Sequence, residues 1–292
     1  MGGSSTVPMD DIKSRMDALF IFASQVEYKG KHPLRIVQAC KSLIGINLES
    51  PPQTLLKWIE GHLKDFTPKF NLPPFDANKE APAIITYAHL GNLIIEKKEC
   101  ETYTYLSYLL QAAGPCHIAE YMIELAICKS PKSFLFCWSA LRSILFVGEK
   151  EGYVILYHCI ASLLEEDESV KSSEELLLEQ YEVYCHQFQI RSMEMVRKSK
   201  IIPHLDVLVK MIAPKLMSTV LPELPHTLRK MIKSEGTQGI TTYLSTLKVE
   251  AITSDLILVL DSLRSVLKFS NFAHDKILTG TFISSKEKLY AE

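Results

Sequence analysis

The sequence predicts an all-α fold of stacked antiparallel helices forming an α-solenoid, with an irregular helical bundle as the alternative. Three observations predict it. Apolar residues recur at three- and four-residue spacing in one segment after another, the period of a helix face. Prolines stand at or just before the start of several of these segments, where a missing N–H costs nothing. Only 12 glycines occur in 292 residues, and hairpin dipeptides are few, which argues against an all-β chain.

The segments can be placed in order. A first helix is predicted over 9–28, with Pro8 at its start and Asp10 and Asp11 in the first turn, where the dipole favours anions. Ile12, Met16, Leu19, Phe20 and Ala23 then share one face. A second helix starts at Pro33 and a third follows Pro51-Pro52, with Leu55, Leu56, Ile59 and Leu63 at helical spacing. Residues 71–79 hold Pro73, Pro74, Asp76 and Asn78 and read as a loop. Further helices are predicted over 82–97, 102–113, 115–129, 131–147 and 152–164. Short connections make neighbours antiparallel. Glu165-Glu166-Asp167-Glu168 is an acidic break. After it come helices over 173–198, 203–220 with Pro214 breaking it, 222–233, 237–248 and 252–268. The domain reading is a leader over 1–8, an N-terminal helical part over 9–164, an acidic linker over 165–172, a C-terminal helical part over 173–272 and a tail over 273–292.

Composition narrows the function classes. Hydrophobic residues make up 47% and charged residues 23% of the chain, enough apolar material for a core. A net charge of -2 does not advertise nucleic acid globally. Seven cysteines, an odd number set mostly in apolar helical patterns, fit reduced thiols in a cytoplasmic or nuclear protein. The start, Met1-Gly2-Gly3-Ser4-Ser5-Thr6, has no apolar signal core and reads as a flexible leader. It matches the loose N-myristoylation pattern, though no basic cluster follows to supply a second membrane signal. No uninterrupted apolar run of about 18 residues is present, so no membrane span is expected.

A signature recurs. Cys40-Lys41-Ser42-Leu43-Ile44 is similar to Leu141-Arg142-Ser143-Ile144-Leu145 and to Leu263-Arg264-Ser265-Val266-Leu267. In each, a basic residue and a serine interrupt an apolar stripe. A small serine permits close helix approach, and the cation favours the C-terminal end of the dipole. Helix pairs that repeat about every 40 residues characterise HEAT and armadillo proteins, and the chain resembles that superfamily over most of its length, without a diagnostic motif. Two stretches, Leu34-Arg35-Ile36-Val37-Gln38-Ala39-Cys40-Lys41-Ser42-Leu43 and Ile257-Leu258-Val259-Leu260-Asp261-Ser262-Leu263-Arg264, resemble the helical repeats of meiosis inhibitor protein 1. That resemblance implies one segment of a much longer helical-repeat protein linked to meiotic DNA break formation.

Candidate chemistry is sparse. Cys116-His117, His158-Cys159 and Cys185-His186 are adjacent pairs, but neighbours on a helix point about 100° apart. With no C-x-x-C or H-E-x-x-H spacing, they read as core cysteines beside surface histidines. Cys116, one residue after Pro115, is the best-placed nucleophile candidate. No Walker, G-x-S-x-G or G-x-G-x-x-G motif occurs. No catalytic, cofactor-binding or metal set is therefore expected.

Two groups suggest partner binding. One is basic: Arg191, Arg197, Lys198 and Lys200, then Lys210 and Lys215, then Arg229, Lys230 and Lys233. Such cations can form a phosphate-facing ridge, meet an acidic protein, or simply be solvated. The other is Tyr105 and Tyr108, which share a helix face, with Tyr103 on another. They read as core residues, or as interface anchors if exposed. The expected function is a non-enzymatic scaffold or adaptor that binds a helix or extended peptide of a partner protein. The alternative is a nucleic-acid-associated helical protein using the basic stretch 191–233.

Overall fold

A computed structural model describes residues 9–29, 32–71, 82–165, 179, 182–183, 185–186 and 225–269. The described residues are all-helical. They form eleven α-helices with two short 3-10 turns, Leu63–Asp65 and Val249–Ala251, and a single isolated bridge between Val26 and Pro68. In order the helices are α1 (Met9–Ser24), α2 (Pro33–Ile44), α3 (Gln53–His62), α4 (Tyr87–Ile95), α5 (Glu99–Ala112), α6 (Pro115–Lys129), α7 (Pro131–Val147), α8 (Glu149–Leu164), α9 (His226–Glu235), α10 (Gln238–Thr246) and α11 (Ser254–Phe269). Among the described residues no helix is long and apolar enough to cross a membrane.

Proline places several helix starts. Pro33, Pro115 and Pro131 are the first residues of α2, α6 and α7, and Pro52 and Pro225 flank α3 and α9 at the N-cap. Elsewhere local chemistry moves the boundary from its predicted place. The first helix stops at Ser24, because the chain turns at Gln25 and Val26 pairs with Pro68. The fourth begins at Tyr87 and not at Pro82, because the Thr86 side chain accepts from the His89 N–H at 3.2 Å and caps the helix there. The fifth starts early, at Glu99, with Glu99 and Glu101 in its dipole-favoured first turn. The eighth starts at Glu149, directly after Gly148 ends α7. Of the helix predicted over 173–198, Glu179, Glu182, Val183, Cys185 and His186 are described, and all are helical. The helix predicted over 203–220 lies outside the described residues.

The chain divides into two compact units. One comprises Met1–Met16, Ala39–Lys64 and Val170–Glu292, and the other Asp17–Gln38 and Asp65–Ser169. In the second unit, α4 to α8 pack on one another, and α6, α7 and α8 form its densest part. Every residue of α7 from Ser133 to Ile144 is buried, Phe134, Phe136 and Trp138 included. A helix apolar on all sides belongs at the centre of a core. In the first unit, α9 packs on α10, and α3 meets α10 and the Val249–Ala251 turn.

Candidate functional site

Each unit buries polar groups, and a polar group inside a fold requires a partner. In the second unit two imidazoles meet. His32 and His158 are both buried, with ring centroids 4.6 Å apart. His32 Nε2 lies 2.9 Å from the Val26 carbonyl, and its Nδ1 accepts from the Leu34 N–H at 3.2 Å. The proton of a neutral ring therefore sits on Nε2. His158 Nε2 lies 2.6 Å from the Ser24 carbonyl, the last of α1. Both rings thus satisfy carbonyls where α1 hands over to the extended chain. Phe136 packs edge-on to His32, Phe70 covers His158, and Tyr28 stacks on His32. Burial is the main force on both rings. It lowers His32 to about 3, with the His158 ring adding to the effect. It lowers His158 to about 4 against the bond to Ser24. Burial also raises the Tyr28 phenol above its ordinary value. His158 Nδ1 is buried without a hydrogen-bond partner.

The first unit holds a second polar cluster on α11. Arg264 Nε donates to Asp261 Oδ1 at 2.9 Å, both side chains being buried. The two ring nitrogens of His186 lie 3.1 Å from Ser265 Oγ and 3.4 Å from Ser262 Oγ. The Ser265 hydroxyl and the imidazole stand at the distance a nucleophile pair uses. Yet Ser262 and Ser265 are fully buried and His186 nearly so, which seals the pair from a substrate in this conformation. The arrangement fixes α11 in its unit. Among the described residues no group of three or more His, Cys, Asp or Glu is placed to hold a metal ion.

These clusters correct the reading of the Cys–His pairs. His117 is exposed as expected, beside a half-buried Cys116 in the first turn of α6. His158 and His186 are buried with their cysteines and are not surface residues. Their hydrogen bonds make this affordable. A signal for His158 was available: it falls three residues after Ile155 and within the same buried stripe as Cys159 and Ser162. The basic–serine signature also resolves into two kinds. Ser143 Oγ donates to the Ser139 carbonyl at 2.8 Å, and Ser265 Oγ to the Asp261 carbonyl at 3.1 Å. In both, arginine and serine are buried. Lys41 and Ser42 are only half-buried.

Only some of the partner-binding candidates fall among the described residues. Arg191, Arg197, Lys198, Lys200, Lys210 and Lys215 lie outside the described residues. Arg229, Lys230 and Lys233 fall on α9, and Lys230 is exposed. Tyr105 and Tyr108 lie inside the packing of α5, with 5% and 6% of their surface exposed. The Tyr105 hydroxyl accepts from the Thr86 N–H at 2.7 Å and sits 3.2 Å from its carbonyl, tying α5 to the cap of α4. Tyr103 stacks on Tyr157, and burial, followed by Glu99, pushes its phenol up to about 12. No family model, curated protein or solved structure matches the chain.

Proposed function

We propose that this chain is a non-enzymatic helical scaffold that binds a helix or extended peptide of a partner protein. The observation that carries the reading is the contrast around α4. In the second unit, α4 to α8 pack most of their apolar side chains on one another. Ile84, just ahead of α4, and Ile95, its last residue, nevertheless keep 77% and 73% of their surface exposed. Large apolar side chains held outward on a packed helical body are the anchors such partners use. The finer parts of the proposal are a HEAT- or armadillo-like superhelix, a cytoplasmic or nuclear location, and a role in meiotic DNA break formation.

The test is affinity capture from native cells with the full chain and with an Ile84→Asp, Ile95→Asp double variant. The reading expects a partner that the double variant loses while its helical circular dichroism is unchanged. Identical partners for both baits would sink it. A nucleic-acid reading competes, supported by the exposed Lys230 on α9, a helix whose sequence also holds Arg229 and Lys233. It requires binding to duplex or single strands that weakens steeply with salt and disappears when Arg197, Lys198 and Lys200 are reversed together.

A further inference from the structure

Three Ser/Thr–Pro pairs occur in the sequence: Ser50-Pro51, Thr67-Pro68 and Ser130-Pro131. The fold treats them differently. Ser130 is buried at the N-cap of α7, its hydroxyl accepting from the Ser133 N–H at 3.1 Å. Ser50 is exposed, but Pro51 and Pro52 behind it are buried, and the Ser50 N–H is tied to Asn47 Oδ1 at 3.1 Å. At the third pair Thr67, Pro68 and Lys69 are all exposed, on chain that is neither helix nor tight turn. The stretch is held in extended form by backbone pairing with the turn after α1. Pro68 pairs with Val26, and the Phe70 N–H donates to the Gln25 carbonyl at 2.7 Å.

We propose that Thr67 is the acceptor of a phosphoryl group from a proline-directed protein kinase. Such an enzyme needs a reachable hydroxyl on extended backbone, and a proline next in sequence whose missing N–H suits an apolar pocket with no backbone acceptor. In the transfer, Thr67 Oγ1 attacks the γ-phosphorus of magnesium-bound ATP. The Oγ1–P bond forms as the bond from that phosphorus to the β–γ bridging oxygen breaks. ADP leaves, and the hydroxyl proton passes to the kinase's catalytic aspartate. The product carries a charge of about −1.5 to −2. Exposed Lys64 and Lys69 flank the acceptor in sequence, three residues before it and two after, and both favour that charge. The modification is independent of the scaffold reading.

The experiment incubates the folded full-length chain with magnesium ATP and a proline-directed kinase, and maps phosphate by peptide mass spectrometry. The expected result is phosphate on Thr67, none on Ser50 or Ser130, loss of the label in Thr67→Val and its retention in Thr67→Ser. A heat-unfolded sample serves as control, in which Ser50 and Ser130 become substrates as well. The proposal is overturned if Thr67 in the folded chain takes no phosphate, or if Ser50 or Ser130 is modified there as fast as Thr67.

Discussion

His32 and His158 stay neutral because burial outweighs the Val26 and Ser24 carbonyls, which favour the charged form. Their neighbours are Phe70, Phe136, Tyr28 and each other. The consequence is a fold that loses stability in acid. Both rings titrate near 6.5 when unfolded and at about 3 and about 4 when folded. Between those values the unfolded chain binds more protons, so stability is complete above about pH 6.5 and falls as pH drops toward the folded values. One pKa unit corresponds to about 1.4 kcal/mol, so each ring should cost the fold about 2 kcal/mol between pH 7 and pH 5. Urea unfolding at the two pH values measures it. His158→Gln is expected to shrink the loss by about 2 kcal/mol, and an unchanged loss would show that the rings are not responsible.

At the scale of the element, side-chain caps mark the starts of α4 and α7, and two glycines mark where no other residue fits. Gly148 joins α7 to α8 at φ +89° and ψ -177°, a region essentially closed to residues with a Cβ. Its N–H closes α7 on the Ile144 carbonyl at 2.9 Å, and its own carbonyl accepts from Gly152 at 3.1 Å. Gly148→Ala should therefore lower stability by roughly 1–3 kcal/mol without adding any steric contact; thermal unfolding monitored by circular dichroism reads this directly. Gly239 serves a different end. A Cβ there would overlap the backbone of Met231 and Ile232, so the glycine sets how closely α10 approaches α9.

For the whole molecule, cysteine accessibility reports on the packing of both units. Cys40, Cys137, Cys159 and Cys185 are buried, Cys116 is half-buried, and Cys100 and Cys128 are exposed. Burial also raises the Cys40 and Cys159 thiols well above their ordinary values, and Cys159 lies beside Cys137. Thiolate is the reactive form. Native-state alkylation should thus modify Cys100 and Cys128 first, then Cys116, and reach the other four only on unfolding. Peptide mass spectrometry over a time course checks the order, and early modification of Cys137 or Cys159 would contradict the packing of α7 on α8.

The sequence by itself determined that the described chain is helical, and it located α6 and α7 to the residue. Those helices begin with proline, and a proline start is a local property that needs no neighbour. It also exposed the basic–serine signature as a feature of helix faces. Tertiary structure alone decided which polar residues go inside. Arg142, Arg264, His158 and His186 are polar by composition, and a period count cannot tell a solvated face from a buried one. What buried His158, His186 and Arg264 was the arrival of partners: the Ser24 carbonyl from the end of α1, Ser262 and Ser265 from α11, and Asp261 one turn before Arg264. Tyr105 and Tyr108 follow the same rule. Their spacing put them on one face, and the Thr86 backbone together with the packing of α5 placed that face in the core. Burial of a polar side chain depends on a hydrogen bond supplied from elsewhere in the fold, and only the folded chain shows where that bond comes from.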